Sequence, residues 1–150
     1  MQALKDLTNT ILATQQLAHN IHLLSVQHGD HLLADRLGDG LLDEIDTLKE
    51  LSLSYDGDHT IAYALDSVMG AAEILKPMPA QPMPIVDMFK CLKILFVSIG
   101  EQCDAVTKYF DENSAEKAKG GLAIQNAVQS LAEKYARNIY LINQRLEGRE

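Results

Sequence analysis

Four of the five histidines, His19, His22, His28 and His31, fall within thirteen consecutive residues. A run of carboxylates follows: Asp35, Asp39, Asp43, Glu44, Asp46 and Glu50. Imidazole and carboxylate groups repeated at helical-turn intervals suggest a metal site. With no thiolate in the set, iron, manganese or zinc suits it better than a soft metal. His31 and Asp35 are an i, i+4 pair, as are Asp46 and Glu50, so each pair presents two donors to one patch of a helix. The sequence alone thus places the candidate chemistry in residues 19–50.

The four donors cannot share one ion within one straight helix. They span 19 residues, which is roughly 28 Å of helical rise. Two copies of that helix packed antiparallel resolve the problem. The His31/Asp35 end of one chain then lies beside the Asp46/Glu50 end of the other. The pairs are 15 residues apart, which is about 60° of rotation, so they share a broad face. The midpoint of residues 31–50 falls between Gly40 and Leu41, so a two-fold axis there brings Gly38 and Gly40 close to their mates. His19 can fold back toward this site from the preceding helix, with His22 as its rival on the same side. His28 reads as an exposed loop residue. Asp39, Asp43 and Glu44 read as solvated or as lining an acidic surface, and His59 carries no assigned chemistry.

The elements that must hold these residues are helical. Residues 2–27 carry Leu4, Leu7, Ile11, Thr14, Ala18, Ile21 and Ser25 at steps of three and four, widened by Leu17 and Leu24. His28-Gly29 ends this helix, and Asp30 reads as the N-cap of the next. Residues 31–54 form the second helix, with Leu33, Leu37, Leu41, Ile45 and Leu48 as its stripe and Gly38 and Gly40 in its middle. Each mid-helix glycine costs about 1 kcal/mol relative to alanine. Asp56-Gly57-Asp58 is a turn. His59 to Lys76 reads as a shorter helix with Ile61, Leu65, Val68, Ala72 and Leu75 inward. All four prolines, Pro77, Pro79, Pro82 and Pro84, follow in a stiff connector. Pro84 suits the start of the third long helix, with Ile85, Met88, Leu92, Leu95, Ile99, Cys103, Val106 and Phe110 inward. The fourth runs from Ser114 to about Leu146, softened at Gly120-Gly121, with Val128, Leu131, Tyr135, Ile139, Ile142 and Leu146 inward. The sum is an all-α, ferritin-like four-helix bundle in one domain, 1–150, with a short extra helix in the crossover between the second and third long helices.

Composition narrows the function. The chain is 47% apolar and only 5% aromatic, so Leu, Ile, Val and Ala must fill the core. Its net charge of −8, with no basic tail, argues against a nucleic-acid or anionic-membrane partner and favours attraction of cations. No apolar run is long enough for a membrane span. Cys91 and Cys103 lie 12 residues apart on one expected helix, roughly 18 Å of rise, too far to bridge. Two unpaired thiols fit a reducing cytoplasm. The methionines read as packing residues.

The interval pattern resembles a known family. His19, eleven residues, His31, three, Asp35, ten, Asp46, three, Glu50 is similar to the ferroxidase pattern of Dps miniferritins, the DNA-binding proteins from starved cells. Asp46-Thr47-Leu48-Lys49-Glu50 matches that family's DxxxE, and the helix order fits throughout the chain. The resemblance implies that two histidines and an aspartate of one subunit meet an aspartate and a glutamate of a two-fold mate. It also implies a hollow homo-oligomer, usually of twelve subunits, that oxidises Fe(II), preferentially with hydrogen peroxide, and stores ferric iron against oxidative damage. Asn20 stands where the family usually has an aromatic residue, and the lysine-rich tail with which many members bind DNA is missing. Two other classes are compatible with the residues: a non-catalytic helical scaffold with vestigial ligands, and a mononuclear metalloenzyme acting on a small organic substrate.

Overall fold

The computed structural model describes residues 1–78 and 83–148. The prolines at 79 and 82 lie outside the described residues. Among those described the chain is helical, with no strand: α1 (Gln2–Leu24), α2 (His28–Gly38), α3 (Leu41–Asp56), α4 (Ala64–Leu75), α5 (Ile85–Glu112), the single turn α6 (Ser114–Glu116) and α7 (Leu122–Leu146). A 3-10 turn, His59–Ala62, precedes α4, and a π turn, Lys117–Gly121, precedes α7.

Four long rods result, because α2 and α3 run on from one another as a single broken rod. Side-chain pairs fix their directions. His22 meets His31, and the N-terminal ammonium meets Asp56, so α1 and α2/α3 are antiparallel. Arg145 meets Asp30, Tyr135 meets Glu44 and Tyr55 meets Glu116, so α7 runs against α2/α3. Gln125 meets Thr107 and Phe96 meets Tyr135, so α5 runs against α7. The helix directions are therefore up, down, down, up, and α4 spans the long return between the second and third rods.

The expected core stripes are buried in α1, α2/α3, α5 and α7, as amphipathic periodicity requires. Leu24 is an exception. The helix ends where Ser25 turns extended, with its hydroxyl on the Ile21 carbonyl, and Leu24 is left 61% exposed. The few aromatics matter more to the core than the composition suggested. Phe89, Phe96, Phe110 and Tyr135 are its largest fully buried side chains. Gly121 is required beside one of them, since a Cβ there would overlap the Phe110 ring.

Two expectations about local structure are corrected. The second long helix is not continuous through Gly38 and Gly40. Gly40 adopts φ +76°, the left-handed region that glycine enters without strain, and it caps α3 rather than sitting inside a helix. Gly38 faces Ala18 of α1, where an added Cβ would lie 3.4 Å from the Ala18 Cβ. Gly40 thus has a reason within one chain, whereas an added Cβ at Gly38 would make only close contact with Ala18. Second, α4 is turned over relative to its expected stripe. Ile61 of the preceding turn is buried, but Leu65 and Val68 are exposed, and Ser67 and Ala71 face inward instead. Small residues win because α4 packs closely on α1. A Cβ at Gly70 would overlap the Asn9 side chain, and the Ser67 hydroxyl accepts from Lys49.

Candidate metal site

The sharp corner between α1 and α2 brings three histidines into a row. The His22 and His31 rings stack with centroids 3.8 Å apart, and His19 lies 6.1 Å beyond His22. The backbone holds the stacked pair in place. His31 Nδ1 lies 2.8 Å from the His22 carbonyl, and His22 Nδ1 lies 3.2 Å from the His31 carbonyl. A carbonyl oxygen only accepts, so each Nδ1 carries the proton in these bonds. When neutral, each ring so bonded keeps its Nε2 lone pair, the form in which imidazole binds a metal, already oriented by a carbonyl partner.

Asp35 follows one turn after His31 on α2, is exposed, and approaches His22 Nδ1 to 4.0 Å. His19, His22 and Asp35 line an open cleft of about 350 Å³ together with Gln15, Asp39 and Asp43. Asp39 and Asp43 are exposed, in line with the solvated reading. His28 is exposed too, but it begins α2 rather than lying in a loop.

Asp46 and Glu50 stand on α3, beyond the break. Both are exposed, and neither makes a side-chain hydrogen bond or ion pair among the described residues. Among those residues, no three His, Cys, Asp or Glu side chains converge tightly enough to hold a metal ion in one chain. The five expected ligands therefore form two separated sets, His19/His31/Asp35 and Asp46/Glu50, with His22 beside the first. The interior of the bundle holds no such cluster. Its buried polar side chains are mainly hydroxyls and amides (Thr8, Thr10, Thr14, Ser52, Gln125 and Asn138).

Four charged residues support this region: Asp30 and Glu44, whose expected roles are corrected, and Arg145 and Lys134, which sequence pattern alone did not single out. Asp30 is not the N-cap; Gln27 holds that position. Asp30 is buried in the first turn of α2 and takes two hydrogen bonds from Arg145, at 2.5 and 3.1 Å. One signal was available, since Asp30 continues the buried series Ala34, Leu37, Leu41 by helical steps. Glu44 is not solvated. It accepts from the Tyr135 hydroxyl and from Lys134 at 3.0 Å, and its side chain is only 19% exposed. Lys134 also donates to the Asp39 carbonyl at 2.9 Å, so α7 ties together the two sides of the α2/α3 break.

These contacts shift the buried acids. Burial first, and the Glu44 charge second, hold the Tyr135 phenol far above its ordinary range. Burial, with a smaller push from Glu44, raises the Cys103 thiol to about 12. Cys91 and Cys103 are both free thiols, the latter buried, and neither belongs to the cleft. No described helix is long and apolar enough to cross a membrane. No protein-family model, curated protein or solved structure matches the chain.

Proposed function

We propose that the chain is a Dps-like miniferritin with a ferritin-like fold. It oxidises Fe(II) at a site shared between two-fold-related subunits and stores the ferric product in a hollow homo-oligomer, a dodecamer by family resemblance. The observation that carries this reading is the incompleteness of each half-site. His31 and Asp35 on α2 have His22 beside them, and Asp46 and Glu50 on α3 stand exposed, yet among the described residues no three such donors converge to hold a metal ion. A second copy in antiparallel register supplies the missing pair. The resulting site has the nitrogen and oxygen donors that Fe(II) accepts.

In the reaction two Fe(II) ions each give one electron to a single peroxide. With two protons the peroxide leaves as two waters, and the ferric ions hydrolyse and move to the store. The protein holds iron and positions it. His31 Nε2 is free to ligate because its Nδ1 proton is committed to the His22 carbonyl. Acidic side chains in the adjoining cleft, Asp39 and Asp43, raise the local concentration of cations.

The test adds Fe(II) and peroxide to the purified protein and follows ferric absorbance and particle density. Wild type should consume about two Fe(II) per peroxide and form a dense core. His31→Ala and Asp46→Ala should each slow oxidation by roughly 10–100-fold, as loss of a metal contact does. Co-assembling the two variants should restore activity, because a mixed pair contains one intact site. No recovery on mixing refutes a shared site. Assembly without any oxidation indicates a scaffold, and metal binding without mineral indicates a mononuclear enzyme.

A further inference from the structure

A groove between α3 and α7 shares no residue with the histidine cleft and holds none of the expected metal ligands. It encloses about 380 Å³, within the size range of small-molecule sites. Ala127, Ser130, Lys134 and Arg137 recur at steps of three and four, so one face of α7 forms one wall. Thr47 and Leu48 of α3 stand opposite. Ala127 and Ser130 are small, and the space that longer side chains would fill stays open.

The base of the groove is apolar and its rim is cationic. Leu48 and Leu131 are buried, whereas Thr47, Ser130 and Arg137 are exposed at the edge. Glu44 is the one acid in the lining, and its charge is matched within the chain. It accepts from Lys134 at 3.0 Å and from the Tyr135 hydroxyl. Arg137 has no such match. Glu133 stands one turn before it on α7, yet Arg137 makes no ion pair or side-chain hydrogen bond among the described residues. The lining therefore keeps one uncompensated positive charge in a chain whose net charge is −8. An exposed arginine by itself is ordinary. Its place above an apolar base, beside a hydroxyl, gives the groove a ligand class.

We infer that the α3–α7 groove binds a small organic carboxylate with an apolar body. The planar guanidinium of Arg137 can donate two parallel hydrogen bonds to a carboxylate. The Ser130 hydroxyl makes no hydrogen bond among the described residues and is free to donate as well, while the Thr47 hydroxyl is committed to the Asp43 carbonyl. The ligand's apolar part covers Leu48, Ala127 and Leu131 and supplies affinity, and the charge sets its orientation. A small inorganic anion gains only from the charge, and a neutral analogue only from the apolar contact, so each binds less well than the carboxylate. Lys134 stays with Glu44 and the Asp39 carbonyl, so binding leaves the α2/α3 break as it is.

The test is titration calorimetry of the purified full chain with phenylpropionate. Saturable binding is expected with a Kd of about 1 mM or tighter, and at least tenfold weaker binding of phenylpropanol, acetate and inorganic phosphate. Arg137→Gln should weaken phenylpropionate at least tenfold, and Arg137→Lys should recover part of that loss, because a point charge replaces the fork. Ser130→Leu should fill the groove and abolish binding. Both side chains are exposed, so circular dichroism and melting should stay those of wild type. Absence of saturable phenylpropionate binding overturns the inference, as does a Kd unchanged in Arg137→Gln or in Ser130→Leu. Inorganic phosphate binding as tightly as phenylpropionate refutes the apolar base, and phenylpropanol binding as tightly refutes the role of Arg137. His31→Ala should bind phenylpropionate like wild type, so this result is read separately from iron oxidation.

Discussion

Asp30→Ala removes one end of a buried ion pair one residue away from His31, and the structure sets the size of the effect. The Asp30 side chain is 9% exposed and that of Arg145 22%. Removing one partner of a fully buried pair costs about 3–5 kcal/mol. Arg145 retains some solvent access and lies 5.8 Å from the Phe89 ring centroid, which softens the loss. The expected destabilisation is therefore about 2–4 kcal/mol, or roughly 10 °C in melting temperature for a chain of this size. Arg145→Met should lose at least as much, since it leaves the more deeply buried carboxylate unpaired. Removing both partners should recover part of the loss, with a coupling of about 1.5–3 kcal/mol in the double-mutant cycle. Urea unfolding at one fixed protein concentration measures this, since the proposed assembly would make midpoints concentration-dependent. Iron oxidation should fall less in Asp30→Ala than in His31→Ala, since the first loosens the turn that carries the ligand and the second deletes the ligand. Single variants that each lose under about 1 kcal/mol, with no coupling, would refute the claim that this pair anchors α2 to α7.

Two further outcomes follow from glycine packing and from thiol burial. Gly121→Ala should destabilise by about 2 kcal/mol or more, because its methyl meets the Phe110 ring and lies 2.9 Å from the Glu116 carbonyl. Gly29→Ala, with nothing within 4 Å in the first turn of α2, should instead stabilise by about 0.5–1 kcal/mol; chemical denaturation reads both. At pH 8 a thiol-titrating reagent should leave Cys103 unmodified in the folded chain and reach both cysteines in guanidinium, because burial holds the Cys103 thiol up to about 12. The sign follows from linkage. The neutral thiol is favoured by folding, so its contribution is complete below the unfolded value near 8.5 and is lost as pH rises toward 12.

The long helices were legible because burial follows a 3.6-residue period, and no distant contact is needed to see it. Most of the stripe residues of α1, α5 and α7 were read correctly, Leu24 being the exposed exception, as was the break at Gly120, whose φ of +116° only glycine adopts readily. The same logic failed for α4. There the apolar period exists, but a neighbouring helix selected the small-residue face, and periodicity cannot tell which face of a short helix its neighbours will cover. The spacing of the candidate donors was legible for the same local reason, since i, i+4 pairs on a helix are near one another whatever surrounds them.

Contacts distant in sequence were beyond such reading. Asp30 with Arg145, Glu44 with Tyr135 and Lys134, and Lys134 with the Asp39 carbonyl join residues 90 to 115 positions apart. No local pattern pairs them; the rods must first pack. The two glycines show the division most plainly. From composition alone, Gly38 and Gly40 read as the crossing of two symmetric helices. In the folded chain α2 ends at Gly38, which lies against Ala18, and Gly40 caps the start of α3. Residue type and spacing thus determine which side chains can ligate and which faces are apolar. Packing determines where the helix breaks, which charges are buried, and that the candidate donors do not converge among the described residues of one chain, because those outcomes depend on how close distant helices come.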